Sequence, residues 1–305
     1  MNWEKCSVII TCYNYAKYLP DCIESVLRQS ITNFEIIIVN DGSTDNTDEV
    51  IRPFLDNVKI KYIRQANAGQ ANAKNTGISH SDGEFIAFLD ADDLWETTKL
   101  QKQMPLFINS QVGVVYSKAR YIDEDGKALS IELKSNYLKP HAGEVTRDLF
   151  FDNFIPFSSS IVRRECIERV GGFDETLKMG IDWDLWLRIS VHYLFQFVDE
   201  PLLIYRVGHT GQMSKDLESR QACSDRIMVK FLVQNPGALT DKTIRDAYVY
   251  TYLNRGYYFR SQDIRTSLKY YIKAIVSNPI HLEAWKGLIK TSLIKLVPHR
   301  KSSNT

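Results

Sequence analysis

The sequence predicts an α/β protein with a mostly parallel, mixed sheet flanked by helices and a C-terminal α-helical appendage. Three observations carry that reading. Continuous β-branched runs recur before Asp90, segments of helical spacing separate them, and from Ser219 onward nearly every stretch reads as helix. Apolar runs without alternation are what parallel strands need when helices cover both faces of their sheet.

Cys6–Cys12 and Phe34–Asn40 are two such runs, each closed by polar turn residues. Between them Leu19, Cys22, Ile23, Val26 and Leu27 recur at helical spacing, with Pro20 suited to a first turn, so the segment is a β-α-β unit. A second unit follows, with a helix over Thr47–Leu55, a strand at Lys59–Arg64, a helix over Gln70–Ile78 and a strand at Glu84–Leu89. Right-handed crossovers then place a ligand site beyond the carboxyl ends of the strands. After Asp93 the rhythm changes to a helix over Leu94–Asn109, a strand at Val112–Tyr121 and a turn at Asp123–Gly126, so the sheet is expected to become mixed. A segment over Phe154–Arg163, helices at Arg164–Val170 and Trp183–Val191 and a strand at Phe195–Tyr205 complete a first domain over residues 1–215. Residues 216–297 are the appendage and 298–305 a disordered tail.

The composition excludes several classes. With 305 residues and 44% hydrophobic residues the chain can bury a large core, which rules out disorder and collagen-like repeats. A net charge of +1, from 38 Lys and Arg against 37 Asp and Glu, argues against a nucleic-acid partner. Five scattered cysteines without a C-x-x-C pair read as reduced thiols in a cytosolic protein. No secretory leader and no long uncharged apolar run is expected, which suggests a cytoplasmic location, with contact at the inner face of the plasma membrane left open.

The densest chemistry is Phe88-Leu89-Asp90-Ala91-Asp92-Asp93, where an apolar strand stops in three acidic residues within four positions. Asp90 and Asp92 can share one hard divalent cation that also grips a diphosphate. Alone, the cluster reads equally as a solvated turn or a helix N-cap. Strands ending in Thr11-Cys12-Tyr13-Asn14-Tyr15 and Asn40-Asp41-Gly42-Ser43-Thr44-Asp45 bring further polar groups to the same edge, which favours a ligand site.

In their order and spacing, the segments Val8–Asn14, Ile38–Asp45, Asn67–Ile78 and Phe88–Asp93 resemble the family 2 glycosyltransferases. The resemblance covers residues 5–215. It implies a GT-A fold, a nucleoside diphosphate sugar donor (UDP being the commonest carrier) and an inverting mechanism. Position by position, it puts Thr11, Tyr13 and Asp41 at the base and ribose and Lys74 near the base or diphosphate. Asp90 and Asp92 hold Mn²⁺ or Mg²⁺ against the diphosphate, with Asp90 also on the nucleotide side. In Gly180-Ile181-Asp182-Trp183-Asp184, Asp182 corresponds to the catalytic base, although Ile181 stands where the family carries Glu; Asp184 is the fallback. In the closing loop Tyr205–Ser214, Arg206 pairs with phosphate and His209 completes the cation's shell, with Gly208 an extra residue between them.

The Gln-x-x-Arg-Trp signature of processive synthases is absent, so transfer of a single sugar rather than polymerisation is expected; the resemblance implies a hydroxyl acceptor, glycan or lipid-linked, in surface-glycan or glycolipid assembly. Leu253, Gly256 and Phe259, followed by Ser267, Tyr271, Ala274 and Pro279, resemble a tetratricopeptide repeat that would bind a protein partner. The stretch Trp285–Lys301 mixes large apolar residues with Lys and Arg; it reads as an ordinary amphipathic helix or as a contact for an anionic membrane. Two rival readings are an interaction protein of weakened activity and a dinucleotide-dependent oxidoreductase. The second lacks a G-x-G-x-x-G after the first strand.

Overall fold

The computed structural model describes residues 4–130, 139–209 and 217–296, so the expected tail at 298–305 and the closing loop from Thr210 to Ser214 lie outside it. The chain divides into two compact units, Met1–Asn235 and Pro236–Thr305.

The first unit is a GT-A-like α/β fold whose core is one mixed sheet. Strands β1 (Cys6–Cys12), β2 (Phe34–Asn40), β3 (Ile60–Arg64) and β4 (Phe85–Asp90) form its parallel half, in the order β3-β2-β1-β4. The burial of β2 throughout, and of β1 at every position but Thr11, follows from their apolar runs, covered on both faces. Helices α1 (Leu19–Leu27), α2 (Thr47–Val50) and α3 (Gln70–Ser79) make the crossovers. The expected helix over Thr47–Leu55 is α2 followed by a short 3₁₀ turn at Arg52–Phe54, where Pro53 removes a backbone donor.

Beyond β4 the sheet continues β8-β6-β9-β5. Strand β8 (Ile161–Arg163) runs antiparallel to both β4 and β6 (Val112–Ile122), and β6 runs parallel to β9 (Leu194–Arg206). A short β7 (Ala128–Leu129) hairpins back on β6. The helix expected over Leu94–Asn109 does not form as such. Leu94–Trp95 is strand β5, paired antiparallel to Ile204 and Leu203 of β9. Only α4 (Lys99–Gln103) and a 3₁₀ turn at Met104–Ile108 follow. Trp95 is drawn into the sheet by its ring N–H, which donates to the Ser158 carbonyl at 2.7 Å, while Pro105 lacks the N–H that would continue the α-helical ladder.

Helices α5 (Thr146–Phe151), α6 (Arg164–Val170), α7 (Ile181–Ser190) and α8 (Leu217–Gln234) complete the unit. Ile227, Met228 and Phe231 of α8 are buried, and the Phe231 ring lies 5.6 Å from that of Phe150 in α5. The second unit is α9 (Asp241–Phe259), α10 (Ile264–Ser277) and α11 (Leu282–Leu296), with Val249, Ala274 and Ala284 at its centre. All five cysteines are free thiols, four of them buried. Among the described residues no helix is long and apolar enough to cross a membrane.

One core residue opposes folding. Lys99 is fully buried, its Nζ has no hydrogen-bond partner among the described residues, and it stands 4.1 Å over the Trp95 ring. Burial penalises the ammonium and pushes its pKa down to about 7. Between pH 7 and the ordinary lysine value, the unfolded chain therefore binds a proton that the folded chain does not, and stability rises with pH across that window. Lys99→Met is expected to stabilise the fold by about 1–3 kcal/mol at neutral pH. In thermal melts its advantage over the wild type should shrink as pH climbs towards the ordinary lysine range.

Candidate active site

The register of the parallel strands assembles the site. Thr11 of β1 lies opposite Val39 on one side and Asp90 on the other, and Cys12 opposite Asn40, so the three strands finish level. Lys74, one turn into α3, reaches this edge. Although nearly buried, its Nζ donates to Asp90 Oδ1 at 3.0 Å and to Thr11 Oγ1 at 3.1 Å, and it rests 4.7 Å above the Phe157 ring.

The acidic turn is held carboxylate by carboxylate. Asp93, buried, accepts from Ser158 Oγ at 2.6 Å and from the Arg206 backbone N–H at 2.9 Å. Asp92 Oδ2 lies 2.8 Å from His209 Nε2. The His209 ring is buried and packed between Tyr15 and Tyr18 at 5.7 and 5.4 Å. Burial raises the carboxyl of Asp92, with Asp90 adding repulsion and His209 opposing it; burial likewise drives Asp93 well above its ordinary value, reinforced by Asp92 and Asp90. Such a turn lacks positive charge. Its oxygens and imidazole are the hard donors a small divalent cation takes. Among the described residues, however, no three His, Cys, Asp or Glu side chains converge as a ready-made cage, because Asp90 is turned to Lys74 and Asp92 to His209.

Other residues singled out by sequence have different surroundings. Tyr13 is exposed at the mouth of the edge. Asp41 is buried and accepts from Gln65 Nε2, the Ala68 N–H and the Gly69 N–H at 2.8–2.9 Å, so its carboxylate shapes the loop leading into α3 and keeps little free acceptor capacity. The Arg206 guanidinium is also buried. It donates to the carbonyls of Asp92, Asp123 and Glu124 and lies 4.8 Å over Tyr18, which welds β9 to the acidic turn.

Asp182 is the second residue of α7, whose N-cap Gly180 turns the chain with a φ of 70°. Partly buried, it accepts from Asn153 Nδ2 at 2.7 Å. Burial lifts its pKa, the charge of Asp90 adds to the rise, and the bonds from Trp183 and Asn153 temper it. Asp184 is a buried anion bound by Arg188 at 2.8 Å and by Lys230 of α8 at 2.7 Å. Both carboxylate oxygens are taken, so the fallback base is a structural group. Lys230 also meets Asp174 at 2.7 Å, and Arg226 of α8 donates to the Thr176 carbonyl at 3.0 Å. Asn75 of α3 grips the same loop, donating to the Phe173 carbonyl and accepting from the Phe173 N–H.

Sequence reading missed Ser158, Asn153, Lys230 and the paired rings of Tyr15 and Tyr18. Only the run Ser158-Ser159-Ser160, polar yet set among apolar residues, offered a visible signal.

In this GT-A-like sheet the parallel strands end level at an acidic turn. Residues 7–171 match the model of the glycosyl transferase family 2, and the chain belongs to that family. It is 37% identical to an uncharacterized glycosyltransferase of Nostoc sp. over 69% of this chain and 67% of that protein. An uncharacterized glycosyltransferase of Rickettsia felis is 30% identical over 74% of this chain but only 38% of its own, longer sequence. The fold is similar to that of S. aureus TarS 1-349 in complex with UDP-GlcNAc, with a TM-score of 0.71 and 17% identity over 96% of this chain and 91% of that one. It is also similar to the mannosyltransferase PcManGT from Pyrobaculum calidifontis in complex with GDP-Man and Mn²⁺, with a TM-score of 0.68 and 18% identity over 98% and 82% of the two chains.

Lys230→Met leaves buried Asp184 with one cation instead of two. Given the partial exposure of Lys230, a loss of about 1–2 kcal/mol is expected, read as a lowered melting temperature at neutral pH; an unchanged melt would remove the clamp.

Proposed function

We propose that the protein is a metal-dependent, inverting, non-processive glycosyltransferase. It moves one sugar from a nucleoside diphosphate sugar, with UDP the expected carrier, to a hydroxyl on a glycan or lipid-linked acceptor. The observation that carries this reading is the level ending of β1, β2 and β4, which gathers Thr11, Asp90, Asp92 and, through Lys74 and His209, two adjustable counter-groups at one edge.

Mn²⁺ or Mg²⁺, held by Asp90, Asp92 and His209, would supply Lewis-acid stabilisation of the departing diphosphate. Lys74, released from Asp90 as the donor enters, turns its ammonium to the nucleotide. Tyr13 offers its exposed ring to the base, while Thr11 and the remaining acceptor capacity of Asp41 meet the base or ribose. Arg206, rather than pairing with phosphate, keeps the acidic turn in place through its carbonyl contacts.

Asp182 is the base. Its carboxylate accepts the proton of the acceptor hydroxyl as that oxygen bonds to the anomeric carbon and the bond to the donor's phosphate oxygen breaks, the electron pair leaving with the nucleoside diphosphate. The raised pKa brings its basicity closer to what proton abstraction near neutrality requires, and Asn153 fixes the direction of the carboxylate. The tetratricopeptide-like reading of α9–α11 as a partner-binding array is retained as a proposal only, since the three helices match it in length but supply fewer units than a free-standing array needs.

Two experiments test this. In titration calorimetry with UDP and Mn²⁺, Asp92→Ala should abolish the Mn²⁺-dependent binding; unchanged affinity would take the cation away from this turn. Asp182→Asn should keep donor binding and lower turnover at least about a hundredfold. The base works deprotonated and its pKa is raised, so wild-type turnover should fall on acidification while the pH is still above the ordinary aspartate range. A mutant with wild-type turnover would move the base elsewhere.

A further inference from the structure

Helix α11 is built inside out. Its small residues, Ala284, Gly287 and Thr291, point into the second unit, while Leu282, Trp285, Ile289 and Leu293 point away from it. The packing explains the inner face, since a Cβ on Gly287 would lie 2.1 Å from the ring of Tyr271, so the Tyr271 ring occupies the space a larger side chain would need. Leu282, Trp285, Ile289 and Leu293 are therefore left on the outer face, between 44% and 72% exposed. Their spacing of three and four residues puts them on one stripe. The indole N–H of Trp285 donates to the Pro279 carbonyl at 2.8 Å, so the ring's polar edge is satisfied internally and its apolar body faces outward.

The charge on that face has one sign. Lys286 and Lys290 stand exposed beside Trp285 and Ile289, and the helix's single carboxylate, Glu283, is paired with Lys286 at 2.7 Å. An isologous contact between two copies would bring these lysines together, and like charges would oppose it. Large apolar side chains interleaved with lysines, on a helix with small residues behind, match an anionic bilayer interface: aliphatic and indole groups enter the acyl boundary while ammonium groups meet phosphate.

We propose that the outer face of α11 docks the protein on an anionic lipid surface, through Trp285, Ile289 and Leu293 inserted between headgroups bound by Lys286 and Lys290. The contact is interfacial and does not span the bilayer. It is independent of the donor site, and its test uses no sugar.

Flotation of the full chain with vesicles decides it. The wild type should float with phosphatidylcholine vesicles containing phosphatidylglycerol, remain behind with phosphatidylcholine alone, and be released by salt. Trp285→Ser combined with Ile289→Ser should weaken partitioning at least about tenfold. Lys286→Glu combined with Lys290→Glu, at exposed positions, should weaken it by a similar factor on anionic vesicles. Thermal melting of each variant checks that the unit is folded. A wild type that ignores anionic vesicles, or folded variants that bind as well as it does, would overturn the proposal. So would a wild-type dimer in light scattering that the apolar variant dissolves without any loss of vesicle binding, since that assigns the face to a second copy.

Discussion

Everything at this site depends on how a protein tolerates three carboxylates on one turn at the end of a buried strand. Each acid of the Asp90–Asp93 turn has a different answer. Asp90 takes an ammonium from α3, Asp92 an imidazole from the chain beyond β9, and Asp93 two neutral donors, a hydroxyl and a backbone amide. The two charged or chargeable partners are side chains reaching in from other segments, whereas the neutral pair comes from the 3₁₀ turn at Phe157–Ser159 and the backbone of β9. The turn is thus fixed through Asp93, while Asp90 and Asp92 are each balanced by a side chain from another segment.

The same logic separates two aspartates on α7. Asp182 and Asp184 are two residues apart, yet the helix sends them to opposite environments. Asp184 faces α8 and is neutralised by Arg188 and Lys230. Asp182 has no cation beside it among the described contacts; it accepts from the Asn153 amide and the Trp183 backbone N–H, and burial with Asp90 as a repulsive neighbour lifts its pKa. Proximity in sequence says little about which acid stays reactive; the direction of the helix face decides.

The parallel half of the fold was legible because β1, β2 and β4 are predominantly apolar runs, broken only by Ser7 and Glu35, with polar ends. Leu94–Asn109 was misread because its apolar spacing fits a helix, whereas Trp95 is captured by a carbonyl at Ser158, more than sixty residues away in the chain. Long-range hydrogen bonds leave no periodic trace. For the same reason Asn153 and Lys230 were invisible, although each touches a residue that the sequence did single out, and Ser158 showed only as part of a polar run. The motifs named Asp41 and Arg206 readily, but their hydrogen-bond partners, which turn both towards holding loops in place, were beyond the reach of a linear reading.

Helix α8 carries a lesson for anyone recombining enzymes of this kind. Through Lys230 and Arg226 it staples the loop before α7, and through Phe231 it fills a gap beside α5, so it serves as a buttress for the chemistry rather than as the first piece of a spare module. Chimeras that exchange the carboxy-terminal helices should accordingly be spliced at the Asn235-Pro236-Gly237 break, where the donor scaffold keeps its own brace.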